Sequence, residues 1–82
     1  MSDNVNYADL VSFIAKALVD DPDQVKVSEA TGPRGTLLEL SVSDRDIGKV
    51  IGKEGKTAQS IRTLLSAASA KGGRRVNLDI LD

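Results

Sequence analysis

The 82-residue sequence predicts one α+β domain, in which helices pack on one face of a mixed three-stranded sheet. Two segments carry apolar residues at helical spacing, and three shorter segments alternate apolar with polar residues, as half-buried strands do. The predicted order is helix, strand, strand, helix, helix, strand, and a chain of this length forms a single domain. Since a two-helix crossover joins the second strand to the third, we expect these strands to be parallel neighbours with a right-handed connection.

The first helix is predicted to follow a flexible polar tail, residues 1–6, so that the folded domain spans residues 7–82. Asn6 can accept a hydrogen bond from the first turn, and Asp9 suits the positive end of the helix dipole. The segment Asp20-Asp21-Pro22 should end this helix. The stripe expected to face the core consists of Leu10, Val11, Ile14, Ala15 and Leu18.

The strands are predicted from alternation. Residues 25–28 and 38–42 should form a hairpin, because Gly32-Pro33-Arg34-Gly35 between them is typical of a tight turn. The third strand is predicted over residues 76–80, where Val76, Leu78 and Ile80 alternate with polar residues. These assignments leave no room for a second domain or an internal repeat.

Two helices are predicted between the second and third strands. Ser43 with Asp46 resembles a capping box and should open a short helix over residues 44–51. The longer helix should end near Ala70, where Gly72-Gly73 stops it. Under this interpretation Asp46 and its neighbour Asp44 are helix caps rather than paired catalytic carboxylates.

The segment Ile47–Thr57 is the most informative part of the chain. Gly52 and Gly55 interrupt what would otherwise be a continuous helix, and Gly48 is a helix-interior glycine that costs about 1 kcal/mol relative to Ala. The lysines that surround the break are Lys49, Lys53 and Lys56. Bare backbone and positive charge at one place are what a phosphate backbone requires.

The charge distribution agrees with this interpretation, although the formal net charge is only −1. Residues 1–43 carry three basic and seven acidic side chains, whereas residues 44–75 carry eight basic and three acidic ones. The positive surplus therefore surrounds the glycine segment. A solvated helix face with no ligand is the alternative, since lysines on surface helices are common.

Enzymatic chemistry is not expected. Histidine and cysteine are both absent, so the commonest general base and the thiolate nucleophile are missing. The serines of the long helix have no base nearby, and the acidic turn Asp20–Asp23 lacks the spacing of a calcium loop. We expect no catalytic residue, no cofactor and no metal. The lack of cysteine and of an apolar run of about 20 residues fits a cytoplasmic protein that does not cross a membrane.

The glycine segment allows two other interpretations. Gly55-Lys56-Thr57 resembles the end of a nucleotide-binding P-loop, but that motif requires a glycine where this chain has Val50. A tight helix–helix turn with no ligand is the second alternative. The clustered lysines and the costly Gly48 argue against it, because a simple turn requires neither.

The run Gly48-x-Val50-Ile51-Gly52-x-x-Gly55 resembles the signature of the KH domain, and the element order resembles its bacterial type II form. The resemblance covers about residues 7–81, and a free-standing chain of this length is similar to the small bacterial KhpA group. It implies a protein that clamps single-stranded RNA with a G-x-x-G loop, as a post-transcriptional regulator or RNA chaperone.

Site residues follow from this resemblance. The loop Gly52-Lys53-Glu54-Gly55 would be the backbone clamp, although the charge of Glu54 would weaken phosphate attraction. Residues 38–42 of the second strand would form the far wall of the base groove. The remaining contacts implied are Gly48 and Ile51 in the groove, Lys49 at its edge, and Lys53 and Lys56 at phosphates.

The resemblance also implies partners: a second copy of the chain in a homodimer, and a second KH-containing protein of the KhpB (Jag) type. The alternative function is a protein–protein interaction module that uses the KH scaffold only for dimerisation or docking.

Overall fold

The computed structural model describes residues 6–71, 73 and 75–81. Its sheet and helices follow the predicted order. The elements are α1 (Tyr7–Leu18), β1 (Lys26–Gly32), β2 (Gly35–Ser41), α2 (Ile47–Ile51), α3 (Lys56–Ala70) and β3 (Val76–Ile80). Short 3₁₀ turns lie at Pro22–Gln24, Asp44–Asp46 and Lys53–Gly55.

The sheet is mixed, as predicted. β2 is the central strand: it pairs antiparallel with β1, with Val27 opposite Leu40, and parallel with β3, with Leu38 opposite Leu78. Leu38 and Leu40 are fully buried beneath the helices, whereas Leu37, on the opposite face of the same strand, is 38% exposed. The α+β class and the helix-covered face are therefore confirmed.

The first helix has the predicted limits and the predicted cap. The Asp9 amide donates to Asn6 Oδ1 at 3.1 Å, and the helix ends at Leu18. Val11 and Ala15 are buried, but Leu18 is 38% exposed because it lies at the end of the stripe. At the other end of α1, the Tyr7 hydroxyl donates to the Ala68 carbonyl at 3.3 Å and joins α1 to α3.

The hairpin turn lies where the sequence predicted it, but β1 is longer than expected. Its pairing with β2 continues to the Gly32–Gly35 pair, while most of its side chains are exposed. Alternation could not reveal this extension, because no buried apolar residue marks it. Gly35 has φ of +125° and lies against the Arg75 carbonyl, which accepts a 2.8 Å hydrogen bond from the Thr36 amide. A side chain at this position would overlap that carbonyl.

The capping box predicted from Ser43 and Asp46 is wrong. The segment opens with a 3₁₀ turn closed by a backbone bond from the Asp46 amide to the Ser43 carbonyl, 2.8 Å, and the Ser43 side chain makes no cap contact. The Asp46 carboxyl points inward and is completely buried. Asp46 therefore serves neither as a cap nor as one of a pair of exposed carboxylates.

Of the two glycines predicted to stop the long helix, Gly72 and Gly73, the structure describes Gly73. Gly73 has φ of +72°, and its amide bonds to the Ala70 carbonyl at 3.2 Å, which closes the last turn of α3. Gly72 and the tail preceding Asn6 lie outside the described residues. Among the described helices, none combines the length and the hydropathy needed to cross a bilayer.

The core is one cluster between the sheet and the helices. Leu38 and Leu40 of β2 and Leu65 of α3 are its largest fully buried apolar side chains. The buried members are Val11, Ala15, Val19, Val25, Leu38, Leu40, Val42, Val50, Ile61, Leu65, Val76 and Leu78. A core this small makes each member important for stability.

Leu65→Ala should lower the free energy of unfolding by about 2–5 kcal/mol, because it leaves a cavity in the core. Urea unfolding measures this loss. Leu64→Ala is the matched control: Leu64 is 47% exposed on the same helix, and its truncation should cost less than about 1 kcal/mol. Equal losses would contradict the assigned core.

Candidate nucleic-acid interface

The break between α2 and α3 is a four-residue reversal with unusual backbone angles. The Gly52 amide closes α2 on the Gly48 carbonyl at 2.9 Å, and the Gly55 amide closes the following 3₁₀ turn on the Gly52 carbonyl at 3.1 Å. Gly52, Glu54 and Gly55 have φ of 78°, 58° and 77°. The chain therefore leaves the helical conformation and re-enters it within four residues.

Gly52 and Gly55 are glycines for different reasons. Gly52 has ψ of 174°, a conformation almost restricted to glycine, and a Cβ there would overlap the Thr57 side chain and lie 2.8 Å from its amide nitrogen. A Cβ on Gly55 would meet nothing within 4 Å. Gly52 thus closes the loop against α3, while Gly55 leaves open space beside the first turn of α3.

Glu54 is the only non-glycine with positive φ among the described residues. Such angles strain an ordinary side chain by about 1–2 kcal/mol. The exposed carboxylate of Glu54 lies 3.9 Å from the Lys56 ammonium. An exposed pair at this distance contributes little, so Lys56 stays accessible to an anion.

Lys53 and Lys56 are both exposed beside this loop. Within the described part of the chain, Lys53 has no carboxylate within 4.0 Å. The first amides of α3 have no partner inside the helix, and its dipole places partial positive charge at the same end. The loop therefore presents two ammonium groups and a helix N-terminus to one open surface.

Lys49 differs from the other two lysines. Its ammonium lies 3.1 Å from Asp46 Oδ1 and 2.9 Å from Asp20 Oδ2. The other carboxylate oxygen of Asp46 accepts from the Asp21 amide at 3.1 Å. We call this arrangement, formed by Asp20, Asp21, Asp46 and Lys49, the carboxylate tie.

The tie changes the titration of both charged groups. Burial raises the pKa of the Asp46 carboxyl, but hydrogen bonds from the Lys49 ammonium and the Asp21 amide outweigh burial, and this pKa lies below its ordinary value. The carboxylates of Asp20 and Asp46 raise the pKa of Lys49. Both groups are therefore charged at neutral pH.

α3 packs against α2 on one side and against β3 on the other. On α2, Gly48 is exposed and Ile51 is half-buried. Between α3 and β3 lies a polar depression, and the Arg62 Nε there donates to the Leu78 carbonyl at 3.2 Å. The lining residues are Gln59, Arg62, Thr63, Ser66, Ser69, Arg75, Val76, Asn77 and Leu78.

Residues 38–42, which the resemblance implies as the far wall of the groove, belong to the central strand of the sheet. β2 is hydrogen-bonded on both sides, so its backbone cannot read a base, and the strand with a free edge beside α3 is β3. Gln59 and Arg62 also face the depression, and no local pattern in the sequence marked them. Only the strand order reveals which strand adjoins α3.

A type II KH domain is defined by this fold together with a G-x-x-G loop between two helices. The family model described as "KhpA/KhpB, KH domain" matches residues 8–80. The chain belongs to this family, and its resemblance to it is confirmed.

Several curated relatives are similar over nearly their whole length. The RNA-binding protein KhpA of Borreliella burgdorferi is 50% identical over 82 residues, which is 100% of both chains. The protein of the same name from Caldanaerobacter subterraneus subsp. tengcongensis is 52% identical over 73 residues, 89% of this chain and 97% of the relative. That from Aquifex aeolicus is 46% identical over 74 residues, 90% of this chain and 94% of the relative.

The two loop glycines should respond differently to alanine. Gly55→Ala should cost about 1–2 kcal/mol of unfolding free energy from backbone strain alone. Gly52→Ala should cost more, because a clash with Thr57 adds to the strain. Urea unfolding of both variants checks the order, and Gly55→Asn, which tolerates positive φ, should be milder than Gly55→Ala.

The carboxylate tie should make stability pH-dependent. The folded pKa of Asp46 lies below its unfolded value of about 4, so the stabilisation is present above that pH and lost as the pH falls through the folded pKa. The raised pKa of Lys49 gives stabilisation below about pH 10 that is lost as the pH rises through the folded value.

Urea midpoints of the unaltered protein and Asp46→Asn test the acid limb. The difference between the two proteins should be largest at neutral pH and shrink in acid, because protonation neutralises the carboxyl in the unaltered protein. A difference that stays constant into strong acid would show that the Asp46 charge contributes nothing.

Proposed function

We propose that this chain is a non-catalytic RNA-binding protein that clamps a short single-stranded segment at Gly52-Lys53-Glu54-Gly55. The observation that carries the proposal is the open space over Gly55, next to two accessible lysines and the first turn of a 15-residue helix. Relatives that match nearly the whole chain bear the name RNA-binding protein KhpA, which supports the same ligand.

The clamp would act through the backbone and through charge. The Lys56 amide already donates to the Lys53 carbonyl, so a phosphate beside Gly55 would accept hydrogen bonds from the amides that follow it in the first turn of α3, where the helix dipole favours an anion. Lys53 and Lys56 attract the neighbouring phosphates, and Glu54 lowers that attraction. The expected affinity is modest, because few phosphates are contacted.

The bases would then lie along the surface that runs from α2 to the depression between α3 and β3. Gly48 has no side chain and Ile51 is apolar, so both allow a base to approach α2. Gln59 and Arg62 supply hydrogen-bond donors, and Gln59 also supplies an acceptor. The chain has only two aromatic side chains, both on α1, so stacking platforms of the kind found in RRM domains are not used. Apolar contact and hydrogen bonds hold the bases instead.

The proposal also includes a second RNA-binding site and a cellular role. One KH groove holds about four nucleotides, so useful affinity calls for a second site on the same RNA. A homodimer, or a complex with a second KH protein of the KhpB (Jag) type, would supply it. A post-transcriptional regulator or RNA chaperone in the cytoplasm is the corresponding role.

A docking module is the second candidate function. Phe13 on α1 is 73% exposed and Leu64 on α3 is 47% exposed, so both helices present apolar surface to solvent. These residues favour a protein interface on the helical side of the domain. The two functions are compatible, because neither residue belongs to the loop.

The double variant Lys53→Asp/Glu54→Asp should bind RNA at least about tenfold more weakly, since it loses a charge-assisted contact of about 1.5–3 kcal/mol and adds repulsion. Fluorescence anisotropy with labelled single-stranded oligonucleotides measures the affinity. The fold should remain intact, because both side chains are exposed and Asp tolerates positive φ.

Lys26→Asp/Glu29→Asp is the matched control. It makes the same two replacements on exposed positions of β1, at the opposite edge of the sheet. It should leave RNA affinity within about twofold. Equal binding by both double variants, or binding that does not weaken as salt rises, would refute the clamp and favour the docking module.

A further inference from the structure

The short helix that precedes the loop, α2, depends on the rest of the fold for its stability and orientation. α2 has five residues, far fewer than an isolated helix needs to be stable, and it ends at Ile51. Val50 is its one fully buried side chain among the described residues. With Val50 fully buried and Ile47 partly buried against the core, apolar packing alone leaves the rotation of this short helix poorly determined, so other contacts must fix it.

The carboxylate tie supplies those contacts. Asp46 immediately precedes α2, and Lys49 lies in its middle. Their partners, Asp20 and the Asp21 amide, belong to the segment that follows α1, 25 or more residues earlier in the chain. The tie therefore holds α2 at two points against a different part of the fold.

The tie is also fully satisfied. Both Asp46 oxygens accept hydrogen bonds, and no buried side-chain nitrogen or oxygen in the described residues lacks a partner. A buried carboxylate with fixed donors has one favourable arrangement, because any rotation of α2 would leave the charge unpaired. Such a contact specifies orientation more than it adds stability.

We propose that Asp46 and Lys49 are positioning residues that set the orientation of α2 and, through it, the direction in which the Gly52–Gly55 loop faces RNA. Lys49 is held by Asp20 and Asp46 and does not contact phosphate, unlike Lys53 and Lys56. This inference rests on the proposed RNA clamp.

The change in RNA affinity when a carboxylate is removed can distinguish positioning from simple electrostatics. Removing a carboxylate makes the protein less negative, and electrostatics alone would then strengthen RNA binding. If the tie positions the loop, removing either carboxylate weakens binding instead. The sign of the effect therefore separates positioning from simple charge.

The experiment compares Asp46→Asn, Asp20→Asn and Lys49→Gln, with Asp23→Asn as control. Asp23 is an exposed acid in the same turn, and its side chain forms no hydrogen bond or ion pair with the tie. RNA affinity is measured by anisotropy over a series of salt concentrations. Hydrogen exchange and amide chemical shifts of residues 52–57 are measured in the free protein.

Asp46→Asn should weaken RNA binding about two- to thirtyfold, the range in which residues remote from a ligand alter its affinity. Amide exchange at 52–57 should become faster. Asp23→Asn should leave affinity unchanged or slightly raise it. Lys49→Gln should weaken binding with an unchanged salt slope, whereas loss of a phosphate contact would reduce that slope by about 0.7.

Tighter or equal RNA binding by Asp46→Asn, with unchanged amide shifts at 52–57, would overturn the inference. Should Asp46→Asn fail to fold, Asp20→Asn provides the same test from a largely exposed carboxyl. The Lys53→Asp/Glu54→Asp variant is assayed in parallel. If it retains RNA, the clamp fails, and the exchange data on the free protein still decide whether the tie positions the loop.

Discussion

The arrangement of this domain depends on the close approach of Gly52 to Thr57. Two helices must lie on the same sheet face, and only four residues separate them. The Gly52 backbone adopts angles that side chains do not tolerate, and the space a Cβ would need is filled by the first turn of α3. Because that position is bare, α3 starts immediately after the reversal, and Gly55 and the lysines face outward together.

Much of the fold could be predicted because its signals are local. The Asn6 cap, the limits of α1, the glycine-bounded hairpin and the alternating strands all depend on residues close in sequence. The parallel pairing of β2 with β3 followed from the length of the crossover. The extension of β1 escaped prediction, since hydrogen bonding to β2 maintains it without buried apolar side chains.

The site was less predictable because its contacts are distant in sequence. Nothing in the local sequence distinguishes Lys49 from Lys53 and Lys56. Of the three, only Lys49 pairs with a carboxylate 29 residues away. The Asp46 side chain suggested a cap, but a backbone bond closes that turn and frees the carboxyl to enter the interior. The Gly52–Gly55 loop was located by sequence, whereas the strand that adjoins α3 could be identified only from the strand order.

The contact between Arg62 and the Leu78 carbonyl has a consequence for how the domain associates with others. β3 is a short outer strand, and an outer strand with unoccupied carbonyls invites a neighbouring chain to extend the sheet. The guanidinium already occupies one of these acceptors. Edge-to-edge pairing of another strand with β3 is thereby made less favourable.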